Sequence, residues 1–430
     1  MAEPDAYASP EIPGGPVPSV PKPKARARYA ARRDEILNAA SRVFTESGVS
    51  GFTLAAVAKR MDLHPVSLTY YFKRKEDLAA ACMLHALERF GDMLSEAERE
   101  ATPQARLRRF VVEYFAARER IAERDDPQLA PLGEMRMIDG PHGEALRRAY
   151  DEISHRIALI LKDREAPLSG GRRRALAHLI IHQLCWTDSW IGAYETADYG
   201  RLGERVADIL IGGLAADGAV QPTTPLLTVG GASADNDEVT REAYLKVAID
   251  LINKEGFRGA SVDKISARLN VTKGSFYHHN SDKDELILAC FERTFELIDA
   301  AKREATATGR TGWERLWLAT ASLAVMQASG EPGRLLRQYG LAALSVDDRR
   351  AIVARFQQIA HGFAGVISDG IADGSIRPVD PLLAAHLVMA MFNSALPLSY
   401  WSSGATLDTV VDAHVRPALM GFLRPGRAEL

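Results

Sequence analysis

The stretch HPVSLTYYFKRKEDL, residues 64–78, sets two tyrosines and a phenylalanine directly before three cations. A second stretch, TKGSFYHHNSDKDEL at residues 272–286, follows 208 residues later with the same outline. In each, small or polar residues come first, aromatic residues or histidines follow, and a lysine then precedes a leucine by three positions. One kind of surface must explain this order of side chains in both places.

Helical periodicity surrounds the first stretch. Apolar residues at three- and four-residue spacing predict one face of a helix: Ile36, Leu37, Ala40, Val43 and Phe44. Gly48 is placed to end that helix, and Thr53 is placed to cap a second short helix. After a break at residues 62–64, Pro65 suits the first turn of a third helix. The pattern is typical of a helix-turn-helix.

The same pattern returns at an offset of 208 residues, without a gap. Nine identical pairs fix the register: Leu37 and Leu245, Ala40 and Ala248, Gly48 and Gly256, Gly51 and Gly259, Arg60 and Arg268, Ser67 and Ser275, Lys75 and Lys283, Leu78 and Leu286, Cys82 and Cys290. The register extends to His178 and His386. Because the period is the length of a whole domain, we interpret the chain as two copies of one protein.

Composition excludes several classes of protein. The 430 residues are 47% hydrophobic and 25% charged with a net charge of −3, which is ordinary globular composition. Three cysteines cannot form a disulfide framework, and no apolar run approaches the roughly 18 residues that span a bilayer. No signal core follows the N-terminal charges. We therefore expect a cytoplasmic protein with no membrane contact and no cofactor.

Both copies resemble the TetR family of bacterial transcriptional regulators. The second copy carries Ser275, Phe276, Tyr277, His278 and His279, followed by Lys283 and Leu286. The first carries Ser67 and Leu68, then Tyr71 and Phe72, followed by Lys75 and Leu78. The resemblance is strong over residues 34–80 and 242–288 and general elsewhere. The copies depart from the family pattern at Val66, Thr69 and Asn280.

The resemblance implies an all-α fold of two tandem repeats. Each repeat is expected to hold a helix-turn-helix DNA-binding domain, followed by a helical domain for ligand binding and dimerisation. The expected boundaries are residues 1–33 for a disordered segment with a basic arm, 34–80 and 240–288 for the DNA-binding domains, 81–216 and 289–424 for the regulatory domains, and 217–239 for a linker.

The expected DNA contacts follow from the demands of the major groove. The leading positions of a recognition helix must be small or polar, and its far end should hold phosphates. Leu68, Phe72 and Phe276 are interpreted as core residues below the helix. The expected contacts are Lys24, Arg26, Arg28, Thr53, His64, Pro65, Val66, Ser67, Tyr70, Tyr71 and Lys75 in the first copy, and Ser261, Thr272, Lys273, Gly274, Ser275, Tyr277, His278, His279 and Lys283 in the second.

Charge distinguishes the two expected DNA-binding domains, which we call the first head and the second head. Residues 22–89 hold 13 Lys or Arg and 7 Asp or Glu, a net charge of +6, whereas the matched window 230–297 holds 9 and 12, a net charge of −3. Because phosphate neutralisation supplies sequence-independent affinity, we expect unequal heads and an imperfectly palindromic operator.

The regulatory halves are expected to bind an unknown apolar effector. The candidate pocket residues are Tyr114, Met135, Met137 and His142 in the first copy, and Trp313, Trp317, Met326 and Tyr339 in the second. Residues 174–216 and 382–424 are expected to pack as an intramolecular pseudo-dimer, and further pairing of whole chains stays open. Trp186, Trp190 and Tyr194, at four-residue spacing, form a predicted core or interface stripe.

Two other classes of function remain open at this point. One is a helical scaffold or ligand-binding protein that has lost DNA binding in one or both copies, and the other is a helical enzyme. His178 and His182 have the spacing of a zinc site, but Leu179 occupies the position of the metalloprotease glutamate, so no metal site is expected. The sequence shows no catalytic constellation, and we therefore expect a regulator that is not an enzyme.

Overall fold

The computed structural model describes residues 23–124, 126–162, 170–229, 241–279, 282–329, 334–337, 341, 344–395 and 406–423. Within these ranges the chain is helical, and a single bridge of β type joins Ala215 to Ile376. The predicted all-α fold is confirmed. Tyr339 and Asn280 lie outside the described residues.

Each copy contributes one series of helices. The first copy contains α1 (Pro23–Gly51), α2 (Leu54–Arg60), α3 (Pro65–Thr69), α4 (Lys75–Ala97), α5 (Pro103–Glu123), α6 (Gly140–Ile160), α7 (Gly170–Trp186) and α8 (Tyr199–Gly212). The second contains α9 (Arg241–Gly259), α10 (Val262–Leu269), α11 (Lys273–His279), α12 (Lys283–Thr308), α13 (Gly312–Ala328), α14 (Val346–Ala372), α15 (Pro381–Ser394), α16 (Leu407–Val410) and α17 (Arg416–Met420), with a π-helical turn at Val411–Val415.

The helix starts reproduce the sequence repeat. The first residues of α2, α3, α4 and α8 lie 208 positions before the first residues of α10, α11, α12 and α16. Local capping explains part of this agreement. The Thr53 hydroxyl accepts a hydrogen bond from Ala56 N at 3.0 Å, and the Ser261 hydroxyl accepts one from Lys264 N at 3.3 Å, so both predicted N-caps form.

Helix α1 differs from its prediction at both ends. It begins at Pro23, so residues 23–33 are helical rather than a disordered arm; residues 1–22 lie outside the described part. It also continues past Gly48 to Gly51, because a glycine inside a helix costs only about 1 kcal/mol and does not by itself end it. In the second copy the equivalent Gly256 adopts φ 72° and interrupts α9.

The recognition helices are seated on apolar side chains. Leu68 and Phe276 are fully buried beneath α3 and α11, and Phe72 is 6% exposed. These three residues were predicted as core residues, and that prediction is confirmed. Burial of this size stabilises the fold by about 1.5–3 kcal/mol for each side chain. It therefore holds each short helix against the other helices of its head.

The two copies pack against each other along α7 and α15. Gln183 Nε2 donates to the Leu387 carbonyl at 2.9 Å, and the Trp190 ring stacks on His386 with centroids 5.1 Å apart. Burial lowers the pKa of His386 to about 4, so its ring stays neutral in this contact. The predicted stripe through Trp186, Trp190 and Tyr194 is not one helical face, because α7 ends at Trp186 and short 3-10 turns follow.

A second contact between the copies lies just beyond α8 and α17. Gly213 and Gly421 occupy equivalent positions, 208 residues apart, and they meet backbone to backbone. Leu214 N donates to the Leu419 carbonyl at 2.7 Å, and Phe422 N donates to the Leu210 carbonyl at 2.8 Å. Both glycines have positive φ, 71° and 94°, a region that other residues rarely adopt.

The predicted linker is partly attached to the second copy. The Val220 carbonyl accepts from Trp313 Nε1 at 2.9 Å, and Leu227 N donates to the Ser322 hydroxyl at 2.9 Å. Residues 226 and 227 also pack against the core. The linker therefore follows α13 as far as residue 229, and residues 230–240 lie outside the described part. Among the helices that are described, none is long and apolar enough to cross a membrane.

The glycine contact generates a stability prediction. We expect Gly213→Ala or Gly421→Ala to lower the free energy of unfolding by about 2–5 kcal/mol, the sum of left-handed strain and overpacking. A methyl group at these positions would lie 2.2 Å from the Met420 carbonyl carbon or 2.6 Å from the Gly212 carbonyl carbon. Denaturant titration measures the change.

Gly218→Ala is the matched control for this contact. Gly218 also has positive φ, 79°, but a methyl group there meets nothing within 4 Å. It should cost only the conformational strain, about 1–2 kcal/mol. Equal losses for all three variants would show that the close approach of the two copies adds nothing.

Candidate nucleic-acid interface and effector cavity

The first recognition helix, α3, presents a small exposed surface. His64 precedes the helix, and its Nδ1 accepts a hydrogen bond from Val66 N at 3.4 Å. The side chains of Pro65, Val66 and Ser67 are all exposed, and Val66 is 67% exposed. Small exposed side chains are what a helix needs at its leading end to enter a major groove, which is about 12 Å wide. His64 has a capping role that the sequence interpretation did not include.

Three tyrosines gather at the far end of α3. Tyr29 from α1 stacks on Tyr71 with centroids 4.9 Å apart, and Tyr70 meets both rings edge-on. Tyr70 is 76% exposed, whereas Tyr71 is half-buried. Tyr29 was missed by the sequence reasoning, although it is the lone aromatic residue within a cationic stretch. It extends the expected phosphate-facing surface onto the N-terminal part of α1.

Helix α4 begins beside this cluster, at Lys75. Asp77, in its first turn, accepts from the backbone N of Arg74 at 3.0 Å and from the Arg74 guanidinium at 3.1 Å. His142, at the start of α6, places Nε2 2.9 Å from the same carboxylate. Partial burial raises the pKa of Asp77, but the hydrogen bonds from His142 and Arg74 outweigh it and hold the pKa below 3.8.

The second recognition helix, α11, has a different surface. Thr272, Lys273, Gly274 and Tyr277 are exposed, but the Ser275 hydroxyl lies 2.8 Å from the buried Tyr244 hydroxyl. Ser275 therefore bonds within its own head, unlike the exposed Ser67. The expected contacts His278, His279, Lys24, Arg26 and Arg28 lie on helical backbone, and their side chains are outside the described part.

Cations of the second head are paired with carboxylates. Lys273 forms an ion pair with Asp263, and the hydrogen bond and charge of Asp263 raise the pKa of Lys273. Lys264 forms an ion pair with Glu255. The equivalents of Asp263 and Lys273 in the first copy are Ala55 and Pro65, so this pair belongs to the second head alone. A carboxylate beside the recognition helix opposes the approach of phosphate.

A cavity of about 410 Å³ lies between the two copies. Its first-copy wall includes Phe90, Tyr114, Ile181 and Trp186. Its second-copy wall includes Arg337, Arg349, Phe356 and Asn393. Phe44 and Thr45, in the C-terminal half of α1, also line the cavity, so the first head borders it.

Charged and polar groups are distributed unevenly around this cavity. Arg118 forms an ion pair with Asp188 of the cavity wall; burial lowers the pKa of Arg118, but the charge of Asp188 outweighs it and raises the pKa. The Tyr114 hydroxyl donates to the Leu184 carbonyl at 2.8 Å. Arg337 donates to the Ala395 carbonyl at 2.6 Å, and Arg349 to the Glu46 carbonyl at 2.7 Å.

Of the six expected pocket residues whose side chains the structure describes, Tyr114 alone is found in this wall. His142 lies against Asp77 at the start of α4, and Met135 packs on the core. Trp313 and Trp317 are buried in the second copy, because large apolar rings are what any helical core requires. Met326 is half-buried against the core, and the side chains of Met137 and Tyr339 lie outside the described part.

The histidine pair of α7 has a structural explanation. The Tyr150 hydroxyl lies 2.9 Å from His178 Nδ1, and the His178 and His182 rings are 4.3 Å apart. His182 also lines the cavity. Over the residues that the structure describes, no group of three or more His, Cys, Asp or Glu side chains could hold a metal ion.

Comparison with known proteins identifies the modules. A family model for bacterial regulatory proteins of the tetR family matches residues 36–82 and again residues 245–290. A model for a tetracyclin repressor-like C-terminal domain matches residues 309–397. The first of these models covers both heads, at the offset of the internal repeat.

Individual relatives match parts of the chain. The Transposon Tn10 TetC protein of Escherichia coli is 36% identical over 83 residues, which are 19% of this chain and 41% of TetC. The chain therefore spans less than half the length of that relative. The regulator YdeS of Bacillus subtilis (strain 168) is 27% identical over 192 residues, 44% of this chain and 90% of YdeS. The structure of AibR with isovaleryl coenzyme A and operator DNA shares 24% identity, with a TM-score of 0.36, over 43% of this chain and 100% of AibR.

The contact between His142 and Asp77 generates a pH prediction. We expect Asp77→Ala to lower the free energy of unfolding by about 1 kcal/mol at pH 7, because the variant loses a helix cap and the His142 contact. The pKa of Asp77 is depressed, so its contribution is present above pH 3.8 and is lost as the pH falls through the folded-state pKa. Denaturation curves at several pH values measure the difference.

Glu76→Ala is the matched control. Glu76 is an exposed acid in the same first turn of α4, so it shares the interaction with the helix dipole. We expect it to cost less than Asp77→Ala at pH 7. If the Asp77→Ala loss stayed constant down to pH 2, the ionised carboxylate would not be its source.

Proposed function

We propose that this chain, which carries two tandem copies of the DNA-binding module of the TetR family, is a ligand-responsive transcriptional repressor. In this proposal both heads read one operator. The observation that carries the proposal is the surface of α3. Exposed small residues at its leading end, three tyrosines at its far end and Lys75 beyond them match base reading followed by phosphate binding.

One chain replaces the usual pair of subunits in this proposal. The contacts of α7 with α15, and the crossing at Gly213 and Gly421, support a pseudo-dimer that needs no second chain to present two heads. Light scattering should then show that the unit which binds DNA has the mass of one chain. Association of two such chains on longer DNA is compatible with the same arrangement.

The two heads are proposed to bind DNA unequally. The first carries the window charge of +6 and the tyrosine cluster, while the second carries −3 and has Lys273 paired with Asp263. The first head then anchors the complex through phosphates, and the second reads its half-site at lower affinity. An imperfectly palindromic operator follows, because the leading residues of α3 and α11 differ.

Two contacts provide routes from the regulatory domains to the first head. His142 at the start of α6 contacts Asp77 in α4, and Arg349 of α14 bonds to the Glu46 carbonyl in α1. An effector that favours one position of α6 or α14 would therefore change the position of α3. Binding of effector and operator must then be coupled reciprocally.

A scaffold that has lost DNA binding is the competing function. It is favoured only for the second copy, by the commitment of Ser275 and Lys273 to neighbours within the head. A mobility-shift assay with the DNA upstream of the chain's own gene separates the two. A salt-dependent shift supports the regulator, and no shift on that DNA or on genomic fragments would refute it.

Equivalent lysines at the start of α4 and α12 allow a matched test of the unequal heads. We expect Lys75→Gln to weaken operator binding more than Lys283→Gln, because the surrounding charge of the first head concentrates phosphate contacts there. Fluorescence anisotropy across a salt series is the measurement. Each phosphate contact removed should flatten the slope of log affinity against log salt by about 0.9. Equal losses from the two variants would contradict unequal heads.

A further inference from the structure

The cavity between the copies is lined by equivalent positions of both. Five of its lining pairs are related by the offset of 208, and they include Leu129 with Arg337, Cys185 with Asn393 and Trp186 with Ser394. Because both members of these pairs line the same cavity, the two copies share it at these positions.

Each of these three pairs has diverged in chemistry. Trp186 faces a copy whose equivalent residue is serine, and the equivalent of the apolar Leu129 is the cation Arg337. The first-copy wall holds most of the aromatic rings, among them Phe90 and Trp186, and it also holds Asp188. The two guanidinium groups that line the cavity both belong to the second copy, where they lie among apolar residues such as Phe356.

The charge of the lining favours an anion. Asp188 is the acid in the described wall, and it forms an ion pair with Arg118 behind it. Arg337 and Arg349 bring two further positive charges to the wall; Arg337 donates to the Ala395 carbonyl, and Arg349 donates to the Glu46 and Leu344 carbonyls. A guanidinium has five N–H donors and binds a carboxylate with two parallel hydrogen bonds.

We propose that this cavity binds a single amphipathic carboxylate, with its anionic group at Arg337 and Arg349 and its apolar body against the aromatic wall of the first copy. Its volume of about 410 Å³ suits a small ligand. The proposal rests on the proposed function only in identifying this ligand as the effector. Because Arg349 bonds to the Glu46 carbonyl in α1, a carboxylate that recruits Arg349 acts on the first head directly.

The test compares ligands that share an apolar body and carry an anionic, a neutral or a cationic head group. Octanoate, octanamide and octylamine form one probe series, and 2-naphthoate, 2-naphthamide and 2-naphthylmethylamine form another. Calorimetric titration of the full chain should give one carboxylate per chain, bound at least about tenfold tighter than the amide or the amine of the same series. Two ligands per chain, equal affinity across a series, or no binding by either carboxylate would overturn the proposal.

Two substitutions locate the anionic group. Arg337→Gln and Arg349→Gln should each reduce the preference for carboxylate over amide by about tenfold. Arg350→Gln is the matched control, since Arg350 is the exposed neighbour of Arg349 on α14 and pairs with Asp347. Arg337 is 5% exposed and contributes to packing, so circular dichroism must first show a folded variant, and Arg349→Gln tests the site independently.

Operator binding is measured separately, without probes. If the chain binds carboxylate with this arginine dependence but no DNA, the repressor proposal fails and the ligand site stands. If it binds DNA and neither arginine variant differs from Arg350→Gln, the ligand site fails alone.

Discussion

The close approach of Gly213 and Gly421 is the constraint on which the arrangement of the two copies depends. The backbones approach so closely here that a methyl group on either glycine would lie 2.2 Å or 2.6 Å from the other segment, and both glycines also adopt positive φ. The hydrogen bonds of Leu214 and Phe422 are formed across this contact. Because α8 of the first copy and α17 of the second copy both end here, the contact joins the ends of these two helices.

The cavity lies beside the contact that joins the second copy to the first head. Thr45, in the wall, is one residue from Glu46, whose carbonyl holds Arg349 of the second copy. The first head is therefore bordered by a helix of the other copy as well as by its own α6. A displacement of α14 at the cavity would reach α1 without a long series of packed residues, because one hydrogen bond, from Arg349 to the Glu46 carbonyl, joins the two helices.

The sequence predicted what depends on local chemistry and on the repeat. The caps at Thr53 and Ser261 follow from local propensity, and the helical character of the chain follows from periodicity. The buried Leu68 and Phe276 and the division of each copy into two domains were expected from the resemblance to the TetR family. The pocket residues did not follow, because Trp317 satisfies the criteria for a pocket and for a core equally well. Arg337 could have been singled out as a buried cation whose equivalent in the other copy, Leu129, is apolar. Recognising this requires both the alignment of the two copies and knowledge of which residues are buried.

Fusion of the two copies removes a restriction that governs ordinary symmetric dimers. In a homodimer, a substitution that places an arginine beside the symmetry axis places a second arginine across from it, and the two like charges repel. Here Leu129 and Arg337 occupy such equivalent positions, and only Arg337 carries a charge. A single gene of double length can therefore evolve a polar, directional site where two identical subunits could only evolve a symmetric one.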